Sequence, residues 1–101
     1  MAINEIRGIT DAIQHDTREL AGKLNMVIAM EKEFIEAAKA ILGRFASVDK
    51  ADVACRKAVY ELTGCTENWF ELNLMITDHE KKLRKLNELQ SFIGGWERDF
   101  K

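Results

Sequence analysis

Apolar residues recur every three or four positions through most of this chain. Stepping alternately by three and four from Ile3 to Phe45 meets thirteen positions, of which ten are apolar. About six would be apolar if the hydrophobic residues, 47% of the chain, were placed at random. The pattern is a heptad repeat, and it predicts one α-helix over residues 2–45, about 65 Å long at the usual rise per residue.

The second half of the chain repeats this pattern with one interruption. The same stepping from Val48 to Ile93 meets fourteen positions, of which twelve are apolar. Gly64 can take the left-handed conformation that ends a helix, and Thr66 can cap the next helix. Because the heptad continues through this point, we expect a kink or tight break there rather than a loop.

The pattern predicts two further helices, over about 49–63 and 66–93. The pair Gly94-Gly95 is expected to end the third helix, since glycine is the poorest helix former after proline. A short tail, 94–101, would then be free to fold back onto the helices.

The link between the first two predicted helices is short. Ser47 or Asp49 can cap the start of the second helix, and so short a link makes the two helices antiparallel neighbours. The predicted fold is therefore all-α. It is a single helical domain over 1–101, a long antiparallel helical hairpin with a break near Gly64.

The apolar stripes are too wide for one hairpin to bury. On the first helix, Ala21, Ile28, Ile35 and Leu42 add a second row beside the first. We therefore expect a homodimer that forms a coiled-coil-like helical bundle, because dimerisation removes the uncovered apolar surface from water. The positions expected in the core or dimer seam are Leu20, Leu24, Val27, Phe34, Leu62, Trp69, Leu72, Ile76, Leu83 and Leu86.

The charge and hydrophobicity of the chain exclude several classes of protein. The 101 residues include 15 Lys and Arg and 17 Asp and Glu, for a net charge of -2. That balance gives no strong attraction to nucleic acid or to an anionic membrane. The N-terminal residues lack the apolar run of a secretory signal, and no stretch is apolar enough to span a bilayer. The expectation is a cytoplasmic protein without a membrane segment.

The two cysteines, Cys55 and Cys65, fall on the predicted core stripe. Two helical residues ten positions apart cannot reach the separation that a disulfide needs. We expect both thiols to be reduced, buried and slow to react.

Few residues are candidates for catalysis or metal binding. Asp11, His15 and Glu19 share one helix face and could hold a divalent metal, although a solvated face with a weak ion pair is the favoured interpretation. Neither His15 nor His79 has a plausible nucleophile nearby, and no glycine-rich phosphate loop is present. We therefore expect no enzyme activity, no cofactor and no metal.

Two polar residues, Glu31 and His79, occupy core positions of the heptad. A polar residue there often sets register or partner choice in helical assemblies. If the hairpin turns near Ser47, Glu31 lies opposite the region of Gly64 and does not pair with His79 in the same chain.

The segment from Val59 to Trp69 resembles a DNA-binding helix-turn-helix, with Gly64 in its turn. Such a resemblance implies a DNA-binding regulator. Two features depart from the motif: Tyr60 replaces the small residue expected where the helices cross, and the second helix has no basic residue before Lys81. Acidic residues in its first turns would repel phosphates, so nucleic acid is not the expected partner.

Aromatic residues near the break suggest a working surface. Trp69 and Phe70 point about 100° apart around a helix, so both cannot enter one core. Tyr60, Phe70 and Leu74 are therefore expected to contact a protein partner that the sequence does not identify. The expected function is a non-catalytic interaction module: a small adaptor, inhibitor or chaperone docking on a larger protein. The alternatives are a DNA-binding regulator and a helical bundle that binds a small ligand or metal.

Overall fold

The chain is all-helical. The computed structural model describes residues 3–99, apart from the side chains of Glu97 and Asp99. The helices in this part are α1 (Ile3–Arg44), α2 (Val53–Thr63) and α3 (Trp69–Asp99), and it contains no strand.

The molecule is an elongated hairpin of α1 and α3, with α2 at its closed end. Its dimensions are 70 × 20 × 15 Å, and its radius of gyration is 20.4 Å. A compact domain of this length would have a radius of gyration of about 13 Å. The predicted all-α class is confirmed, and the elongated hairpin pairs α1 mainly with α3.

Two clusters of buried side chains hold the hairpin together. Near the closed end, one cluster joins all three helices through Ile35, Ala38, Val59, Leu72 and Ile76. Farther along, Leu24 and Ile28 of α1 enclose Ile93 of α3. Because early residues of α1 meet late residues of α3, the two long helices are antiparallel.

A turn stabilised by Lys50 ends α1. The Lys50 ammonium group donates to the carbonyl oxygens of Phe45, Ala46 and Val48 at 2.6, 2.8 and 2.7 Å. A helix C-terminus carries unpaired carbonyl groups and a partial negative charge, so a cation is favourable there.

The second helix begins later than the sequence predicts. Asp52 is its N-cap, and its carboxylate accepts from the Ala54 backbone N–H at 2.8 Å. The predicted start at 49, with Ser47 or Asp49 as the cap, is wrong. Asp49 instead closes a turn by accepting from the Ala51 N–H at 2.9 Å.

Gly64 ends α2 as predicted, with φ +68° and its N–H donating to the Tyr60 carbonyl at 2.7 Å. A five-residue loop, 64–68, connects α2 to α3 in place of the predicted tight break. In this loop the Thr66 hydroxyl accepts from the Asn68 N–H, so Thr66 shapes the loop and does not cap α3.

Asn68 caps α3 in place of Thr66. Its side-chain oxygen accepts from the backbone N–H groups of Phe70, at 2.8 Å, and Glu71, at 3.3 Å. The third helix therefore starts at Trp69 rather than at 66.

The expected stop at Gly94-Gly95 is also wrong, because α3 continues to Asp99. Each glycine costs a helix only about 1 kcal/mol relative to alanine. Ile93 is buried against α1, and the Phe92 and Trp96 rings meet edge to face at 4.9 Å across the two glycines. Residues 94–99 are thus helix, and the rest of the predicted tail lies outside the described residues.

The predicted seam positions divide into three groups. Leu24, Leu72 and Ile76 are buried. Phe34, Leu62, Trp69, Leu83 and Leu86 are partly buried. Leu20 and Val27 are exposed in the single chain, so they do not belong to its core.

Candidate protein-docking surface

The structure leaves the three side chains of the predicted contact surface in solvent. Tyr60 on α2 is 52% exposed, and Phe70 and Leu74 on α3 are 61% and 67% exposed. Phe70 and Leu74 lie one turn apart on the same side of α3. No described part of the chain covers them.

The start of α3 fixes the direction of Phe70. The Asn68 cap sets the first turn, which places Trp69 inward and half-buried while Phe70 points outward. The two rings meet edge to face at 5.2 Å. The Lys50 ammonium group lies over the Trp69 ring, 4.6 Å from its centroid. The exposed Phe70 ring therefore packs against Trp69, which in turn contacts Lys50.

A shallow pocket of about 400 Å³ adjoins this surface. Its lining includes Lys50, Arg56, Thr66, Asn68, Trp69 and Phe70. Arg56 pairs with Glu67 at 3.6 Å on the pocket rim. The Trp69 indole N–H is buried, and no hydrogen-bond acceptor for it occurs in the described chain.

The residues proposed for a metal site lie far from this surface, near the start of α1. His15, Asp16 and Glu19 bring their ligand atoms within 4.8 Å of one another, whereas Asp11 is not part of the group. His15 is 3.6 Å from the Asp16 carboxylate and 3.9 Å from the Glu19 carboxylate. All three side chains are exposed, so these surface contacts are weak.

Glu31 and His79 do pair, contrary to the prediction. The His79 Nδ1 atom forms a hydrogen bond with the Glu31 carboxylate in the partly buried seam between α1 and α3. The His79 ring also lies 4.4 Å from the ring of Phe34. The prediction placed the point of reversal near Ser47. Because α2 lies between α1 and α3 in the sequence and occupies the closed end, the chain reverses near residue 55.

The two cysteines differ in environment. Cys55 is fully buried on α2, as predicted, whereas Cys65 is exposed in the 64–68 loop. The prediction of a buried Cys65 fails because the heptad does not continue through that loop.

The geometry around Gly64 does not suit a DNA-reading helix. Tyr60 is exposed and does not lie at a tight helix crossing. The first turn of α3 carries Glu71, and its first basic residue, Lys81, lies more than three turns into the helix. DNA-binding helices of this type usually contact the duplex with their N-terminal residues.

Sequence reasoning missed the role of Lys50. Its position just after α1 is the available signal, because basic residues near a helix C-terminus often bind the last carbonyl groups. Its contact with Trp69 depends on the loop before α3, which brings together residues nineteen positions apart.

None of the described helices is long and apolar enough to cross a membrane. No protein-family model, curated protein or solved structure matches the chain.

Proposed function

We propose that this protein is a non-catalytic protein-interaction module. It acts as a small adaptor, inhibitor or chaperone that docks on a larger protein through the surface of Tyr60, Phe70 and Leu74. The observation that carries the proposal is the exposure of Phe70 and Leu74 side by side on α3.

Two physical arguments support a docking role for this pair. A large apolar side chain kept in water forgoes about 1.5–3 kcal/mol of burial free energy, which a partner surface can recover. Aromatic residues are also common anchors of protein interfaces, where truncation often costs about 2 kcal/mol or more.

We further propose that the hairpin self-associates into a coiled-coil-like dimer. The support is the apolar stripe that one chain leaves uncovered, including Leu20 and Val27. In this arrangement, each dimer carries two copies of the docking surface.

The docking proposal is tested by truncating its two main side chains. The variant Phe70→Ala with Leu74→Ala should keep the wild-type melting temperature within a few degrees, because both side chains are exposed. The wild-type chain should capture partner proteins from an extract of its native cells, and the variant should not. Quantitative mass spectrometry of the captured proteins measures the difference.

A matched control truncates two equally exposed side chains elsewhere. Met26→Ala with Met30→Ala removes apolar groups that are 66% and 64% exposed, one turn apart on α1 and away from Tyr60, Phe70 and Leu74. It should retain the same proteins as wild type. If instead the Phe70 and Leu74 variant melts much earlier while binding persists, those side chains belong to the fold and the proposal is wrong.

A further inference from the structure

The first turns of α1 extend beyond α3 and present an uncovered apolar face. Leu24 packs beside Ile93, and α1 runs about 31 Å from Leu24 back to Ile3. From Ile93, α3 runs only about 9 Å to Asp99. About four turns of α1 therefore lie past the described end of α3. Thr17 is buried, so we call residues 3–16 the overhang.

Isoleucines line one face of the overhang. Ile6, Ile9 and Ile13 lie at the i, i+3 and i+7 spacing of a single helix face, and each is about half exposed. Leu20 and Val27 continue the stripe at seven-residue spacing onto the hairpin proper. Such a stripe is typical of a helix that packs against another helix.

A complementary groove lies on the other part of the same molecule. It runs between α1 and α3, has a volume of about 340 Å³, and is lined by Val27, Glu31, Lys82, Lys85, Leu86 and Leu89. Its floor is apolar and its rim carries two lysines. The two lysines outnumber the single carboxylate of the lining, Glu31, which forms a hydrogen bond with His79.

The charges of the two surfaces are opposite. Beside the isoleucine stripe the overhang carries the carboxylates of Glu5 and Asp16, whereas Asp11 and Arg7 lie toward the opposite face. Complementary charges steer helices together and select their register.

We infer that the overhang of each chain occupies the groove of a second copy. This inference rests on the proposed self-association and not on the proposed docking of a foreign partner. The exchange is reciprocal, so two copies related by a twofold axis satisfy both overhangs and both grooves. The paired α1 helices are antiparallel, and Ile9 of one copy lies beside Val27 of the second copy.

The available surface is sufficient for a stable dimer. The single chain exposes 7368 Å². A compact monomer of 11.6 kDa would expose about 5,800 Å². The excess of about 1,600 Å² exceeds the roughly 800 Å² per partner that a standard interface buries.

The first test compares two variants that add equal charge to the overhang. Ile6→Asp with Ile9→Asp places two carboxylates on the stripe, whereas Asn4→Asp with Gly8→Asp places two on the opposite face. By sedimentation equilibrium at micromolar concentration, wild type and the Asn4 and Gly8 variant should have twice the chain mass of 11.6 kDa. The stripe variant should dimerise at least ten-fold more weakly while its helical circular dichroism is unchanged.

The second test measures the orientation of the paired helices. A nitroxide is attached to Asn4→Cys in a Cys65→Ser background, where the remaining Cys55 is buried. In the inferred antiparallel register, residue 4 lies opposite residue 32 of the second copy. Pulsed electron resonance should therefore give a distance of about 40 Å between the two labels.

The outcomes separate this inference from the self-association on which it rests. A wild-type mass of one chain overturns both. A wild-type dimer that the stripe variant leaves intact, or a label distance below about 20 Å as in parallel helices, overturns the overhang exchange alone. The foreign docking surface at Phe70 is unaffected by each of these results.

Discussion

At the scale of single residues, backbone conformation separates glycines that the fold requires from glycines that it tolerates. Gly64 has φ +68°, a conformation that costs other residues about 1–2 kcal/mol. Gly22 lies inside α1, and a Cβ added there would meet nothing within 4 Å.

Replacing these two glycines by alanine should change stability in opposite directions. Gly64→Ala is expected to lower the free energy of unfolding by about 1 kcal/mol, because the left-handed conformation is strained for alanine. Gly22→Ala is expected to raise it by up to about 1 kcal/mol through helix propensity. Urea unfolding followed by circular dichroism measures both, and a destabilised Gly22→Ala would contradict the continuous α1.

The pairing of Glu31 with His79 shows the limit of residue-level prediction. Sequence identified both as polar residues at core positions, and that placement is correct. Whether they face each other depends on how many residues the closed end of the hairpin consumes. The closed end contains α2, whose packing on the core sets that number. The residues around Glu31 and His79 carry no information about it, so they could not reveal the pairing.

At the scale of elements, the end of α1 depends on one side chain from the following turn. Lys50 donates hydrogen bonds to three carbonyl groups and also lies over the Trp69 ring, so it joins the α1 terminus to the start of α3. Phe70 is therefore connected to the α1 terminus through Trp69 and Lys50.

Removing the Lys50 charge should destabilise the chain more than removing a charge from the open surface. Lys50→Met keeps the side-chain length but removes a donor from three carbonyl groups, of which that of Phe45 still accepts from the Val48 N–H. We therefore expect a loss of about 1–3 kcal/mol. Lys57→Met, which breaks an exposed pair with Glu61, should cost about 0.5 kcal/mol or less. Equal losses in chemical denaturation would show that Lys50 does not hold the α1 terminus.

Helix existence was predictable from the sequence, and several helix ends were not. Heptad spacing located three helices because amphipathic periodicity acts along the whole element. The continuation of α3 through Gly94-Gly95 depends on the burial of Ile93 against α1, which outweighs a low local propensity. Caps such as Asp52 and Asn68 compete with nearby Ser47, Asp49 and Thr66, which have similar side-chain chemistry.

At the scale of the whole molecule, the elongated shape leaves apolar surface at both ends of the hairpin. The closed end exposes Phe70 and Leu74, and the open end exposes the isoleucines of the overhang. The exposure of Tyr60, Phe70 and Leu74 agrees with the reasoning from sequence, because adjacent aromatic residues on a helix cannot share one core. The groove beside Val27 could not be predicted from the sequence, because its position depends on the register between α1 and α3.

Photo-cross-linking from position 70 decides whether the surface around Phe70 binds another protein. Phe70 is replaced by benzoylphenylalanine in the full chain, in its native cells, and Met26 is replaced in a control. We predict that irradiation joins the chain to a protein larger than itself from position 70 and not from position 26. Cross-links that form equally from both positions, or only to a second copy of this chain, would contradict the proposed docking surface.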